Sequence, residues 1–195
     1  MKKLSSTVII LIVLAILVFW GMGVYNGLVS EQEKVNAQWG NVENQYQRRS
    51  DLIPNLVETV KGYATHEKTT LEEVVNARAK ATQVTVDPNN LTPEKIQEYQ
   101  AAQGELTSAL GRLMMIREAY PDLKANENFI ALQNQLEQTE NRIALERTRF
   151  NEIATTYNTK IKKAPGNIVA NMFGFTEKPY FKAEAGSEKA PEVKF

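Results

Sequence analysis

The hydrophobic pattern splits the chain into two unlike parts. Between Lys3 and Glu31 there is no charged residue, and positions 8–19 are apolar without interruption from Val8 to Phe19. Wound as a helix, residues 4–24 span about 31 Å, the thickness of a bilayer's hydrocarbon core. The pattern predicts a transmembrane helix through Leu4, Val8, Leu14, Trp20 and Val24. Phe19, Trp20 and Tyr25 gather at its far end, where aromatic rings favour the headgroup layer.

Beyond the span the apolar residues thin to one stripe. Leu28, Val35, Trp39, Val42 and Tyr46 recur at helical steps and predict a helix that prolongs the anchor. At Ser50-Asp51-Leu52-Ile53-Pro54 the expectation is a hairpin, with Ser50 or Asp51 as N-cap and Pro54 in the first turn of a new helix. The competing reading is one kinked helix as far as Gly62-Tyr63, because the apolar period passes Pro54 without a phase break. The next stripe is Val57, Val60, Ala64, Leu71, Val74, Arg78 and Ala81, with Glu67 among them. A turn-rich loop follows at residues 84–90, and Thr92-Pro93 restarts a helix with Thr92 as N-cap. Its seam runs Ile96, Tyr99, Leu106, Leu110, Leu113, Tyr120. Gly104 and Gly111 share one face, where close approach of a neighbouring helix would offset their cost of about 1 kcal/mol each.

After a stop at Tyr120-Pro121, Phe129, Leu136, Ile143, Phe150 and Tyr157 fall at strict seven-residue intervals, which predicts coiled-coil-like packing. Ala164-Pro165-Gly166 ends that helix. Counted in order, the helices lead away from the bilayer, back, away and back. Residues 167–175, with Ile168 and Phe173 on one apolar side, are expected to return to the membrane surface or to lie as a lid on the helical body. Residues 176–195 are rich in Ala, Gly, Pro, Lys and Glu and are expected to be disordered. The chain is thus all-α: an anchor at 1–27, a body of long helices at 28–164, and a short amphipathic segment with a tail at 165–195.

Composition narrows the function. Lys+Arg and Asp+Glu balance at 23 each in 195 residues, so no basic field draws the chain to nucleic acid. The mean hydropathy of −0.37, despite the anchor, marks the rest as distinctly polar. Gly21-x-Gly23 is a poor cleavage site, so the span is expected to stay attached. Lys2 and Lys3 before the span, against Glu31 and Glu33 after it, predict a cytoplasmic N-terminus and an extracytoplasmic body. With no cysteine, that body has no disulfides and depends on packing.

Candidate chemistry is sparse. The sole histidine lies in His66-Glu67-Lys68-Thr69-Thr70, which lacks the second His of a zinc-protease helix. Neither a glycine-framed Ser nor a Gly-rich phosphate loop occurs. No cofactor, metal, catalytic group or small-molecule substrate is expected, and the protein reads as a non-enzyme. Glu67 and Arg78 sit on an apolar stripe, where an unpaired charge is costly, so both should have partners. With Arg49 and Asp51 they are the polar groups most committed to structure or interaction.

Several runs resemble the LemA family. They include Tyr25-Asn26, Trp39, Arg49-x-Asp51-Leu52-Ile53-Pro54-Asn55-Leu56 and Gly62-Tyr63-x-x-His66-Glu67. Arg78-Ala79, Tyr120-Pro121-x-Leu123, Glu140-x-x-Ile143, Arg147, Asn151, Tyr157-Asn158, Pro165 and Phe173-Gly174-Phe175 complete the likeness, which spans residues 4–181. The resemblance implies a bacterial single-pass membrane protein whose body is an antiparallel four-helix bundle, with no catalytic residues to carry over. It also implies a loose link with membrane proteases and, in one branch, with magnetosome membrane invagination. The resulting expectation is an inner-membrane scaffold or adaptor of the cell envelope, with the lipid bilayer and another envelope protein or itself as partners. The alternatives are a membrane-shaping oligomer and an enzyme whose chemistry these patterns do not reveal.

Overall fold

A computed structural model describes residues 6–182; Leu4, Lys2, Lys3 and residues 183–195 lie outside the described residues. Six α-helices follow in order: α1 Ser6–Lys61, α2 Lys68–Gln83, α3 Pro93–Ile116, α4 Pro121–Lys124, α5 Glu127–Lys162 and α6 Gly166–Phe173. Among the described residues there is no strand, and α1 is the one helix long and apolar enough to cross a membrane.

α1 is a single rod of 56 residues. Its first part exposes Val8, Leu14 and Phe19 on all sides, whereas from Leu28 onward one stripe is buried: Val35, Trp39, Val42, Ile53, Leu56 and Val60. The helix thus passes from an all-round apolar surface to a one-sided one without a break. α5 runs antiparallel along it, bringing Lys160 to Glu31 and Glu146 to Gln38. α2 packs on α3 and on α1, and α6 wedges against both α1 and α5.

The core falls into two clusters. Near the apolar segment, Leu28, Trp39 and Tyr46 meet Phe150, Tyr157 and Ile161. At the far end, Ile53, Leu56 and Val60 meet Leu71, Leu106, Leu113 and Phe129. The five seven-spaced residues of α5, Phe129 to Tyr157, are all buried across these clusters. Caps follow local chemistry: the Thr92 hydroxyl accepts from the Lys95 N–H, and Asn126 Oδ1 accepts from the Phe129 N–H.

Three expectations need correction. The hairpin at Pro54 does not form, because α1 continues to Lys61 with Pro54 inside it and exposed. A proline in a helix leaves the carbonyl four residues earlier without its donor. Here that carbonyl belongs to Ser50, and Arg78 Nε of α2 donates to it at 2.9 Å. The turn lies instead at residues 62–67, where the Ala64 N–H still bonds the Val60 carbonyl. The two glycines of α3 mark no close approach, since a Cβ at Gly104 or Gly111 would meet nothing within 4 Å.

The tail is the third correction. Residues 176–182 do not dangle but lie extended along α5. Asn158 exchanges two hydrogen bonds with the backbone of Lys178, both 2.8 Å, and Asn151 does the same with Phe181 at 2.9 and 3.0 Å. Asn151 and Asn158 stand one heptad apart, about 10.5 Å along a helix, matching three extended residues of about 3.4 Å each. Phe181 then stacks on Trp39, with centroids 5.7 Å apart and planes 9° from parallel.

Candidate functional site: a three-helix arginine junction and the apolar near end

Arg49 is 1% exposed, the largest charged side chain in the interior. One terminal nitrogen donates to Glu140 Oε1 at 2.6 Å and to Thr107 Oγ1 at 2.8 Å. The other donates to Gln103 Oε1 at 2.6 Å and to the Gln103 carbonyl at 3.3 Å. A planar fork with five donors in fixed directions suits bonding to two helices at once better than the single point charge of a lysine. Gln103 is fixed in turn, its amide donating to the Ala81 carbonyl at 3.3 Å. Arg49 and Arg78 therefore join α1 to α2, α3 and α5 within about one turn of Ser50.

Beside this junction opens a cleft of about 320 Å³, lined by Glu43, Tyr46, Ser50, Tyr99 and Gln103 among others. Burial pushes the Glu43 carboxyl above its ordinary range and the Tyr99 phenol well above its own. Ser50 Oγ is buried there without a hydrogen-bond partner. Hydroxyl and amide side chains share these walls with apolar surface, and the Arg49 and Arg78 guanidiniums beside them are already committed to Gln103 and Ser50. Among the described residues, no three His, Cys, Asp or Glu side chains converge as a metal site would require.

The remaining residues singled out from the sequence are scattered. Asp51 is exposed and accepts from Gln47 Nε2 at 2.7 Å, within its own helix. Glu67 lies in the far-end turn, where the Tyr120 hydroxyl donates to it at 3.2 Å. Val8, Leu14 and Trp20 are exposed along α1, and Val24 packs partly against the near-end cluster. Ile168 and Phe173 lie on α6, 58% and 59% exposed, while Val169 and Ala170 of the same helix are buried. α6 is therefore a cap on one side and an open apolar face on the other, with the Phe173 ring 4.9 Å from Tyr25 at the end of the apolar segment. Gly166 is required where it starts, since a Cβ there would overlap the Lys160 carbonyl oxygen.

Sequence reasoning missed three groups. Gln103 falls in register with the α3 seam, four residues after Tyr99 and three before Leu106, and that polar position in an apolar stripe was the signal that could have found it. Asn151 and Asn158 look like polar positions on a solvated face, and Lys178 lies in a segment whose composition suggests no order. Lys178 is nevertheless buried, its ammonium pushed down by burial while donating to the Pro88 carbonyl at 3.2 Å.

These features define a class: an all-helical protein with one long apolar N-terminal helix. The chain belongs to the LemA family, whose model matches residues 38–195. Among its relatives, magnetosome protein MamQ 2 of Paramagnetospirillum magneticum is 28% identical over 84% of this chain and 66% of its own length. Magnetosome protein MamQ of Magnetospirillum gryphiswaldense is 29% identical over 80% and 64% respectively. Protein LemA of Metamycoplasma hominis is 24% identical over 93% of this chain and 80% of its own length. The chain thus spans just under two thirds of the length of the MamQ proteins it matches. The apolar helix and these relatives together suggest a membrane protein.

Proposed function

We propose that the protein is a membrane-tethered helical scaffold that works by binding and carries no catalysis of its own. Its body is read as an antiparallel four-helix bundle of α1, α2, α3 and α5, standing outside the bacterial inner membrane with the N-terminus in the cytoplasm. The observation that carries this reading is the continuity of α1, whose first turns are exposed and apolar while its later turns form the spine of the core. A joint-free rod holds whatever binds the body at a fixed height and angle above the bilayer, which suits a scaffold. The interior charges support it too, because Arg49 and Arg78 are spent on joining helices. Its partner is another envelope protein, a membrane protease among the candidates, or a second copy of the chain.

The test is the mass of the full chain extracted in mild detergent after cross-linking in the membrane. A discrete oligomer or a stoichiometric second protein supports the scaffold; a clean monomer at every cross-linker dose overturns it. A membrane-shaping oligomer is the second reading, favoured by the exposed Ile168, Met172 and Phe173 beside the apolar segment. It predicts that the purified oligomer curves vesicles into tubes.

A further inference from the structure

At the near end, α1 and the last turns of α5 touch through Lys160 and Glu31 and through Leu28 and Ile161, and leave a concave surface beside that contact. It is an open groove of about 610 Å³ with predominantly apolar walls, including Val24, Gly27, Leu28, Thr159, Lys160 and Lys163. That volume is within the range of about 300–1,000 Å³ typical of small-molecule sites. Two further threonines in the wall, Thr155 and Thr156, turn their hydroxyls back onto the carbonyls of Asn151 and Glu152 at 2.7 and 3.1 Å, so neither needs a partner in the groove.

The groove continues a surface already apolar. Leu17, Trp20, Val24, Gly27 and Leu28 recur at three- and four-residue steps along α1, so they share one helix face. Leu17 and Trp20 are 55% and 48% exposed, and Val24, Gly27 and Leu28 form the groove wall one turn further on. Hydrocarbon packed along the span therefore meets no step before it enters the groove. Charge changes at the mouth. Lys160 is held by Glu31 at 2.5 Å, and Lys162 by Glu177 at 2.7 Å. Lys163 makes no ion pair among the described residues and lines the same opening.

We infer that this groove binds one anionic phospholipid, an acyl chain lying along Val24, Gly27 and Leu28 and the phosphate against the Lys163 ammonium. The inference rests on the membrane-tether reading and deepens it, since a lipid seated between α1 and α5 would lock the tilt of the body against the bilayer. Ile168, Met172 and Phe173 of α6 add exposed apolar surface at the same end.

The test uses the full chain in nanodiscs of equal parts phosphatidylcholine and phosphatidylglycerol, followed by native mass spectrometry as detergent strips lipid away. One phosphatidylglycerol should survive stripping. Lys163→Glu should lower the preference for phosphatidylglycerol over phosphatidylcholine about tenfold, the loss expected for one charge-assisted contact. Gly27→Phe should abolish the retained lipid by filling the groove, because a Cβ at Gly27 meets nothing within 4 Å. Both variants should melt like the parent, and millimolar inorganic phosphate should not displace the lipid. A parent that keeps no lipid, or variants that keep it equally well, would overturn the inference while leaving the tether intact. Release of the chain from membranes by alkaline carbonate would instead overturn the tether reading itself.

Discussion

Replacing Arg49 by Met removes the junction's charge and keeps much of its stem. Four hydrogen bonds are lost, to Glu140, Thr107, the Gln103 side chain and the Gln103 carbonyl. They do not weigh equally. The Glu140 side chain is 40% exposed and can turn to water, so after solvent screening the ion pair itself contributes about 0–1 kcal/mol. Gln103 is 7% exposed and loses a charged donor at 2.6 Å, a bond worth about 1.5–3 kcal/mol. With Thr107 a minor loss and the methionine recovering part of the packing, the net cost is about 3 kcal/mol. For a body of this size that lowers the melting temperature by about 6–12 °C. The assay is thermal loss of helical circular dichroism by the full chain in detergent. Glu140→Gln, run beside it, should cost about 1 kcal/mol or less. An Arg49→Met protein melting within about 2 °C of the parent would refute the junction as a structural lock.

Other consequences follow from single contacts. Arg78→Met leaves the Ser50 carbonyl unbonded and should cost about 1–3 kcal/mol, but much less when combined with Pro54→Ala, which restores the missing N–H; equal costs in both backgrounds would sink this pairing. Gly111→Ala, exposed on α3 with free space for a methyl, should stabilise by about 1 kcal/mol, and a loss of stability would reveal a contact the fold lacks. Glu31 is held below its usual carboxylate range chiefly by the Lys160 ammonium. A depressed folded value means its contribution is present above the unfolded value and fades as pH falls through the folded one, so Glu31→Gln should lose stability at neutral pH, show a shallower acid limb, and converge with the parent as pH falls below about 4.5. An acid limb unchanged in Glu31→Gln contradicts this.

What the sequence discloses here is what periodicity carries. The unbroken apolar run and the seven-residue spacing from Phe129 to Tyr157 each mark an element, because burial on one face leaves a repeating trace. Pro54 misleads because the rule against proline in a helix is local, whereas the donor that satisfies Ser50 arrives from Arg78 on another helix. The segment around Lys178 misleads for the same reason. Its own composition cannot order it, and the groups that do, Asn151 and Asn158, read as ordinary solvent-facing residues on α5. Gly104 and Gly111 show the reverse error, a pattern suggesting contact where there is open space. Arg49 was visible as a residue in a distinctive run, but its partners Gln103 and Glu140 lie on two other helices and only the fold brings them together.

The central claim is that one uninterrupted helix joins the membrane span to the far end of the body. Spin labels at the exposed positions Asn26 and Glu58, in the full chain reconstituted into nanodiscs, measure it by pulsed electron resonance. A continuous α1 predicts a single narrow distance near 48 Å, at about 1.5 Å per residue. A chain that turned back at Pro54 would bring the labels to about 30 Å, and that distance, or a broad distribution from a jointed rod, would contradict the account.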